Sequence, residues 1–149
     1  MTIQLTGSKD FPVPPEQTFR LLTDPDALIK AMPGLKSLNK RTETSYDAEL
    51  EVGVAGIKGV YKGSLEMRDV LPGEGYRMTV NGEGPMGFME ADVQVALTPV
   101  GESGTRLKYD GTAKVGGTVA GVGQRVLSGV AKFITNQFFN GLLKQATSR

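Results

Sequence analysis

Residues 114–145 read KVGGTVAGVGQRVLSGVAKFITNQFFNGLLKQ, and the fold turns on this stretch. Val119, Val122, Val126, Val130, Phe133, Ile134, Phe138 and Leu142 recur every three or four positions, the spacing of one helix face. It predicts a single long amphipathic helix from Gly116 onward. Burying side chains of this kind contributes on the order of 15 kcal/mol gross, so a broad apolar surface must receive them. The upstream sequence supplies that surface as short alternating strands, which one curved antiparallel sheet accommodates. A sheet gripping a single helix leaves room for a cavity between the two, and function is expected there.

Working outward, Ile3, Leu5, Gly7, Lys9 and Phe11 alternate with mostly polar neighbours and predict a first strand, ended by the prolines from Pro12 to Pro15. Pro15 suits the first turn of a short helix reaching Leu22, with Phe19 and Leu22 inward. Asp24 as N-cap and Pro25 at the first position open a second short helix, carrying Leu28, Ile29 and Met32 before Pro33-Gly34 stops it. Tyr46, Ala48, Leu50, Val52 and Val54 share one strand face, which Tyr61, Gly63, Leu65 and Met67 continue after a turn at Ala55-Gly56. That register sets Leu50 opposite Tyr61 and Glu49 opposite Lys62, core against core and charge against opposite charge.

After the turn at Pro72-Gly73-Glu74-Gly75, Tyr76, Met78 and Val80 mark a further strand. Phe88 to Thr98 and Thr105 to Val115 follow as a longer pair, with Leu97 expected opposite Tyr109, Val95 opposite Gly111 and Asp92 opposite Lys114. Glycines such as Gly53, Gly59, Gly63, Gly82 and Gly111 fit the bends that curl a sheet. The order is strand, two short helices, six strands, long helix. The expected fold is therefore α+β, a helix-grip arrangement in which a seven-stranded curved antiparallel sheet wraps the C-terminal helix, as one domain over residues 1–149.

Composition removes more functions than any motif adds. The chain has 149 residues, a formal net charge of +1, no cysteine and no histidine. Without histidine or cysteine there is no Ser-His-Asp triad, no thiol nucleophile and none of the usual zinc or non-heme iron sites. Scattered single charges give no footprint for nucleic acid. The N-terminal segment lacks the pattern of a secretory signal, and no apolar run approaches the roughly 20 residues of a membrane span, so the expectation is a soluble, cytoplasmic, non-enzymatic protein without metal or covalent cofactor.

Four features still merit weighing. Gly82-Glu-Gly-Pro-Met-Gly87 matches the dinucleotide fingerprint in letters, but Pro85 and the alternating run from Phe88 read as a hairpin connection. The glycine-rich segment from Gly116 to Gly123 lacks the Lys-Ser/Thr of a phosphate loop and reads as a turn, its amides and Arg125 available to an anionic head group. Asp47, Glu49 and Glu51, like Glu90 and Asp92, read as solvated strand faces. Tyr46, Tyr61, Tyr76 and Tyr109 fall on the inner face, where buried phenols need hydrogen-bond partners.

In sequence the chain resembles the CoxG family of carbon monoxide dehydrogenase subunits, within the Bet v 1 and START-related (SRPBCC) superfamily. The matching residues are Asp24-Pro25, Met32-Pro33-Gly34, Val52-Gly53, Ile57-Lys58-Gly59, Tyr61-Lys62-Gly63, Gly82-Glu-Gly84, Gly87-Phe88, Thr105-Arg106-Leu107 with Tyr109, Val115-Gly116-Gly117, Val122-Gly123-Gln124-Arg125 and Phe138-Phe139. The resemblance implies a helix-grip fold with a deep apolar cavity and an accessory role for molybdenum-containing hydroxylases of the carbon monoxide dehydrogenase type, brought to the membrane by such helpers. Two departures stand out. The chain stops at Arg149, which argues against a built-in membrane tether, and Leu35 follows the Pro-Gly turn where family members often carry Cys.

Three readings follow. The first is a carrier or recruitment protein holding a lipid or isoprenoid quinone between sheet and helix, lined by Tyr61, Leu65, Met78, Tyr109, Val126, Val130, Phe133 and Ile134. Its partners are the subunits of a molybdenum hydroxylase, with peripheral membrane contact. The second is a polyketide cyclase-like enzyme with Tyr61 or Tyr109 as general acid. The third is an adaptor whose cavity is vestigial, which a cavity-filling Gly63→Leu would leave functional.

Overall fold

The computed structural model describes residues 1–53 and 57–147. Its elements are β1 (Thr2–Phe11), α1 (Pro15–Thr23), α2 (Pro25–Ala31), β2 (Leu35–Lys40), β3 (Ser45–Val52), β4 (Gly59–Leu71), β5 (Gly75–Gly84), β6 (Gly87–Val100), β7 (Gly104–Gly116), a 3-10 turn (Thr118–Val122) and α3 (Gln124–Thr147). The strands form one antiparallel sheet in the order β1-β7-β6-β5-β4-β3-β2. Consecutive hairpins link β2 through β7, and β1 closes on β7. This is the expected seven-stranded α+β helix-grip architecture.

Local chemistry explains the short helices. Pro15 and Pro25 each occupy the start of a helix, where the missing N–H is no loss, and the Asp24 carboxylate accepts the Asp26 N–H at 3.0 Å to cap α2. The β3–β4 register is as expected, with Leu50 opposite Tyr61 and Glu49 opposite Lys62. The turn placed at Ala55-Gly56 lies outside the described residues.

Three expectations need correction. In the β6–β7 pair, Leu97 faces Leu107, Val95 faces Tyr109 and Asp92 faces Thr112, a slip of two residues from the expected register. The strands continue through Pro99 and Val100 to a tighter turn, with Val100 paired to Gly104. A two-residue slip keeps every side chain on its own face, so alternation alone does not detect it.

The long helix begins at Gln124 rather than Gly116. β7 runs on to Gly116, a 3-10 turn follows, and Gly123 at φ 102° separates that turn from α3.

The buried face of α3 is rotated as well. Leu127, Phe139 and Leu142 are buried, whereas Val126 and Phe133 are 49% and 59% exposed. Adjacent pairs such as Val126-Leu127, Phe133-Ile134 and Phe138-Phe139 offer two apolar stripes about 100° apart, and spacing does not choose between them. The packing of α3 on α2 does. A Cβ on Gly141 would lie 2.7 Å from the Ala31 backbone, so the two helices meet there at a contact that only glycine allows. Phe139 then turns toward Phe11, ring centroids 6.4 Å apart and edge-on.

Candidate functional site

Two separate apolar clusters hold the helix to the sheet. One gathers Phe11, Leu22, Ala27, Ala31, Met67, Tyr76, Leu107, Phe139 and Leu142 beneath α1, α2 and the C-terminal half of α3. The other, around the N-terminal end of α3, joins Ile3, Ile57, Val115, Val119 and Leu127. α3 packs mainly on α2 and β1 and approaches the inner face of β3–β5 less closely. Tyr61, Leu65, Met78 and Tyr109 from the sheet and Val130 and Ile134 from α3 are all half-buried; Leu65, Met78 and Tyr109 pack against the first cluster and Val130 against the second.

Part of the inner face is bare backbone. Gly63 pairs with Gly82 on neighbouring strands, and a Cβ built on Gly82 meets no atom within 4 Å. Gly84 lies beneath the Tyr61 ring, where a Cβ would come within 2.6 Å. The free space at Gly82 is the signal that apolar periodicity could not supply, since glycine carries no hydrophobic weight in a pattern. Of the eight lining residues expected from sequence, six are half-buried, whereas the rotation of α3 leaves Val126 and Phe133 largely exposed.

The four tyrosines divide in two. Tyr46 and Tyr76 are buried in the first cluster, with Tyr76 edge-on to Phe19 at 6.1 Å. Tyr61 and Tyr109 are half-buried and lie apart: the Tyr61 ring covers Gly84 of β5, whereas the Tyr109 hydroxyl lies over Gly7 of β1 and its ring packs against the first cluster. The Tyr61 hydroxyl donates to the Ile57 carbonyl at 2.7 Å, and the Tyr109 ring stacks at a tilt on Phe139, centroids 5.4 Å apart. Burial pushes the phenols of Tyr61, Tyr76 and Tyr109 above their ordinary value, so all three are neutral at neutral pH. The inner face therefore carries half-buried apolar side chains and uncharged phenols.

The remaining motifs resolve as structure. Gly84 pairs with Gly87, making the G-x-G-x-x-G segment a β-hairpin connection. The amides of Val119, Ala120 and Gly123 donate to carbonyls of Met86, Gly117 and Ala120, which leaves them no role toward an anionic head group. Asp47, Glu49 and Glu51 each meet a cation, Arg41, Lys62 and Lys36 respectively. Asp92 is paired with Arg77, whose hydrogen bond holds its carboxyl below the usual range. A wide, open depression on the outer face carries Glu66, Arg68, Glu90 and Lys114, charges of both signs in solvent. Among the described residues no group of three acidic, histidine or cysteine side chains is placed to hold a metal ion, and no helix is long and apolar enough to cross a membrane.

Known proteins align with this architecture along its whole length. A conserved protein from Geobacillus kaustophilus is 38% identical, covering 99% of this chain and 96% of its own with a TM-score of 0.94. A START superfamily protein from Mycobacterium smegmatis, 10% identical over 97% of each chain, superposes with a TM-score of 0.74. The Zhui aromatase/cyclase from Streptomyces sp. R1128 shares 12% identity over 98% of this chain and 94% of its own, TM-score 0.73. The last two likenesses establish the Bet v 1/START-like fold alone. No curated protein matches the chain. The model of the CoxG family, the G-type subunit of carbon monoxide dehydrogenase, matches residues 7–147, and the chain belongs to that family.

Proposed function

We propose that this protein is a non-enzymatic accessory carrier that holds a lipid or isoprenoid quinone in the cleft between α3 and the inner sheet face. In that role it assists membrane recruitment of, or electron transfer from, a molybdenum-containing hydroxylase of the carbon monoxide dehydrogenase type, on the cytosolic side of the membrane. The observation that carries this reading is the open space over Gly82 on the inner sheet face, near half-buried Tyr61 and Leu65. An apolar group placed there removes those side chains from water at about 25 cal/mol per Å². The neutral Tyr61 phenol borders this space without the cost of burying a charge.

A cyclase-like activity draws less support. The six lining side chains are apolar or phenolic, the Tyr61 proton is already committed to the Ile57 carbonyl, and raising a phenol's pKa weakens it as a general acid. Membership of a family named for an enzyme's accessory component favours a helper role.

Native mass spectrometry of the purified protein, followed by organic extraction, tests the carrier reading. A stoichiometric apolar adduct that extracts as lipid or quinone is expected. A protein that stays bare after incubation with both a short-chain isoprenoid quinone and a phospholipid would overturn it.

A further inference from the structure

The two apolar side chains that the rotation of α3 leaves outside form a feature of their own. Val126 and Phe133 lie two turns apart on one side of the helix, 49% and 59% exposed. Each follows an exposed cation, Arg125 and Lys132. Between Gln124 and Thr147 the helix also carries Lys144 and has no Asp or Glu at all. The outer sheet face, in contrast, mixes charges of both signs, including the pairs Arg77–Asp92 and Arg106–Asp10. Val130 and Ile134, both half-buried, lie beside the stripe on the same helix. Exposed apolar side chains flanked only by cations match an anionic lipid surface, in which the rings and branched chains enter the interface and the cations meet headgroups.

We propose that the Arg125-Val126 and Lys132-Phe133 stripe of α3 is the surface by which this protein docks on an anionic bilayer. Docking there brings half-buried Val130 and Ile134, on the helix side of the proposed ligand site, next to the bilayer, so that an apolar ligand passes directly between bilayer and site. The ligand transfer rests on the carrier reading above; the docking does not.

Co-sedimentation with phosphatidylcholine vesicles, with and without phosphatidylglycerol, tests the assignment. Binding is expected only to the anionic vesicles and to weaken with added salt. Arg125→Gln combined with Lys132→Gln lowers the partition about 30-fold, at about 1 kcal/mol per basic residue. Val126→Ser combined with Phe133→Ser loses binding at low salt too, while the thermal unfolding midpoint of either variant stays near that of the parent. Failure of the parent protein to bind anionic vesicles, binding indifferent to lipid charge, or variants that bind as the parent does would each overturn the assignment. An apolar adduct persisting in native mass spectrometry in those cases would leave the carrier reading standing, so the two failures are told apart. Capture of the stripe by a protein partner, with no vesicle binding, likewise overturns it.

Discussion

Leu142→Ala is expected to lower the unfolding free energy by about 3–5 kcal/mol, and Phe133→Ala by less than about 1 kcal/mol, in chemical denaturation. Both are large apolar residues of α3, and by sequence alone both belong to its inward face. In the fold Leu142 is fully buried in the cluster that includes Phe139 and Leu107, whereas Phe133 is 59% exposed. Deleting Leu142 removes its transfer free energy and leaves a cavity that α2, held at the Gly141 contact with Ala31, cannot collapse to fill. Against a typical total of about 5–15 kcal/mol this is a large fraction of stability. Equal losses at the two positions would mean that α3 sits in a different rotation, with Phe133 inside.

Gly82→Phe is expected to leave stability near that of the parent and to weaken ligand binding about tenfold or more, which adduct occupancy in native mass spectrometry reports. The Cβ at Gly82 meets nothing within 4 Å, so the ring grows into the cleft rather than into the fold. Gly63, directly opposite on β4, behaves differently: its Cβ would overlap the Asn81 carbonyl oxygen, and the backbone must move before any side chain fits. Gly63→Leu, attractive from sequence as a cavity filler, is therefore expected to destabilise the sheet and is unsuited to separate a carrier from an adaptor. Gly82→Phe separates them: an adaptor acting through its surface keeps its partner when the cleft is filled, and a carrier loses its cargo. Occupancy unchanged in Gly82→Phe would place the ligand elsewhere.

The sheet is legible in the sequence because its signals are local. Alternation at Tyr46 to Val52 and at Tyr61 to Met67, together with the Glu49 and Lys62 charges, defines a register that the structure shares. β2, Leu35–Lys40, enters the expected strand count without a location: in Leu-Lys-Ser-Leu-Asn-Lys only Leu38 is buried, too sparse a pattern to mark an edge strand. The β6–β7 pairing differs by two residues because turn geometry, not alternation, sets it. At the candidate site, the inward facing of Tyr61, Leu65, Met78 and Tyr109 can be read from strand alternation. The helix wall can be read only in half, because Gly141, whose missing side chain fixes the rotation of α3, looks in sequence like any helix-weakening glycine. Gly82, the residue that leaves the space, carries no pattern at all.

The central claim, an apolar ligand held over Gly82 beside α3, is tested most directly by methyl resonances of the six methionines during titration with a short-chain isoprenoid quinone or a short-chain phospholipid. Met78 lies on the inner face beside the first cluster and Met86 packs on the second, whereas Met1 is 44% exposed at the chain start. Saturable shifts at Met78 that leave Met1 unmoved, and that vanish in Gly82→Phe, are the predicted result. A Met78 methyl unmoved by either ligand at saturating concentration would contradict it.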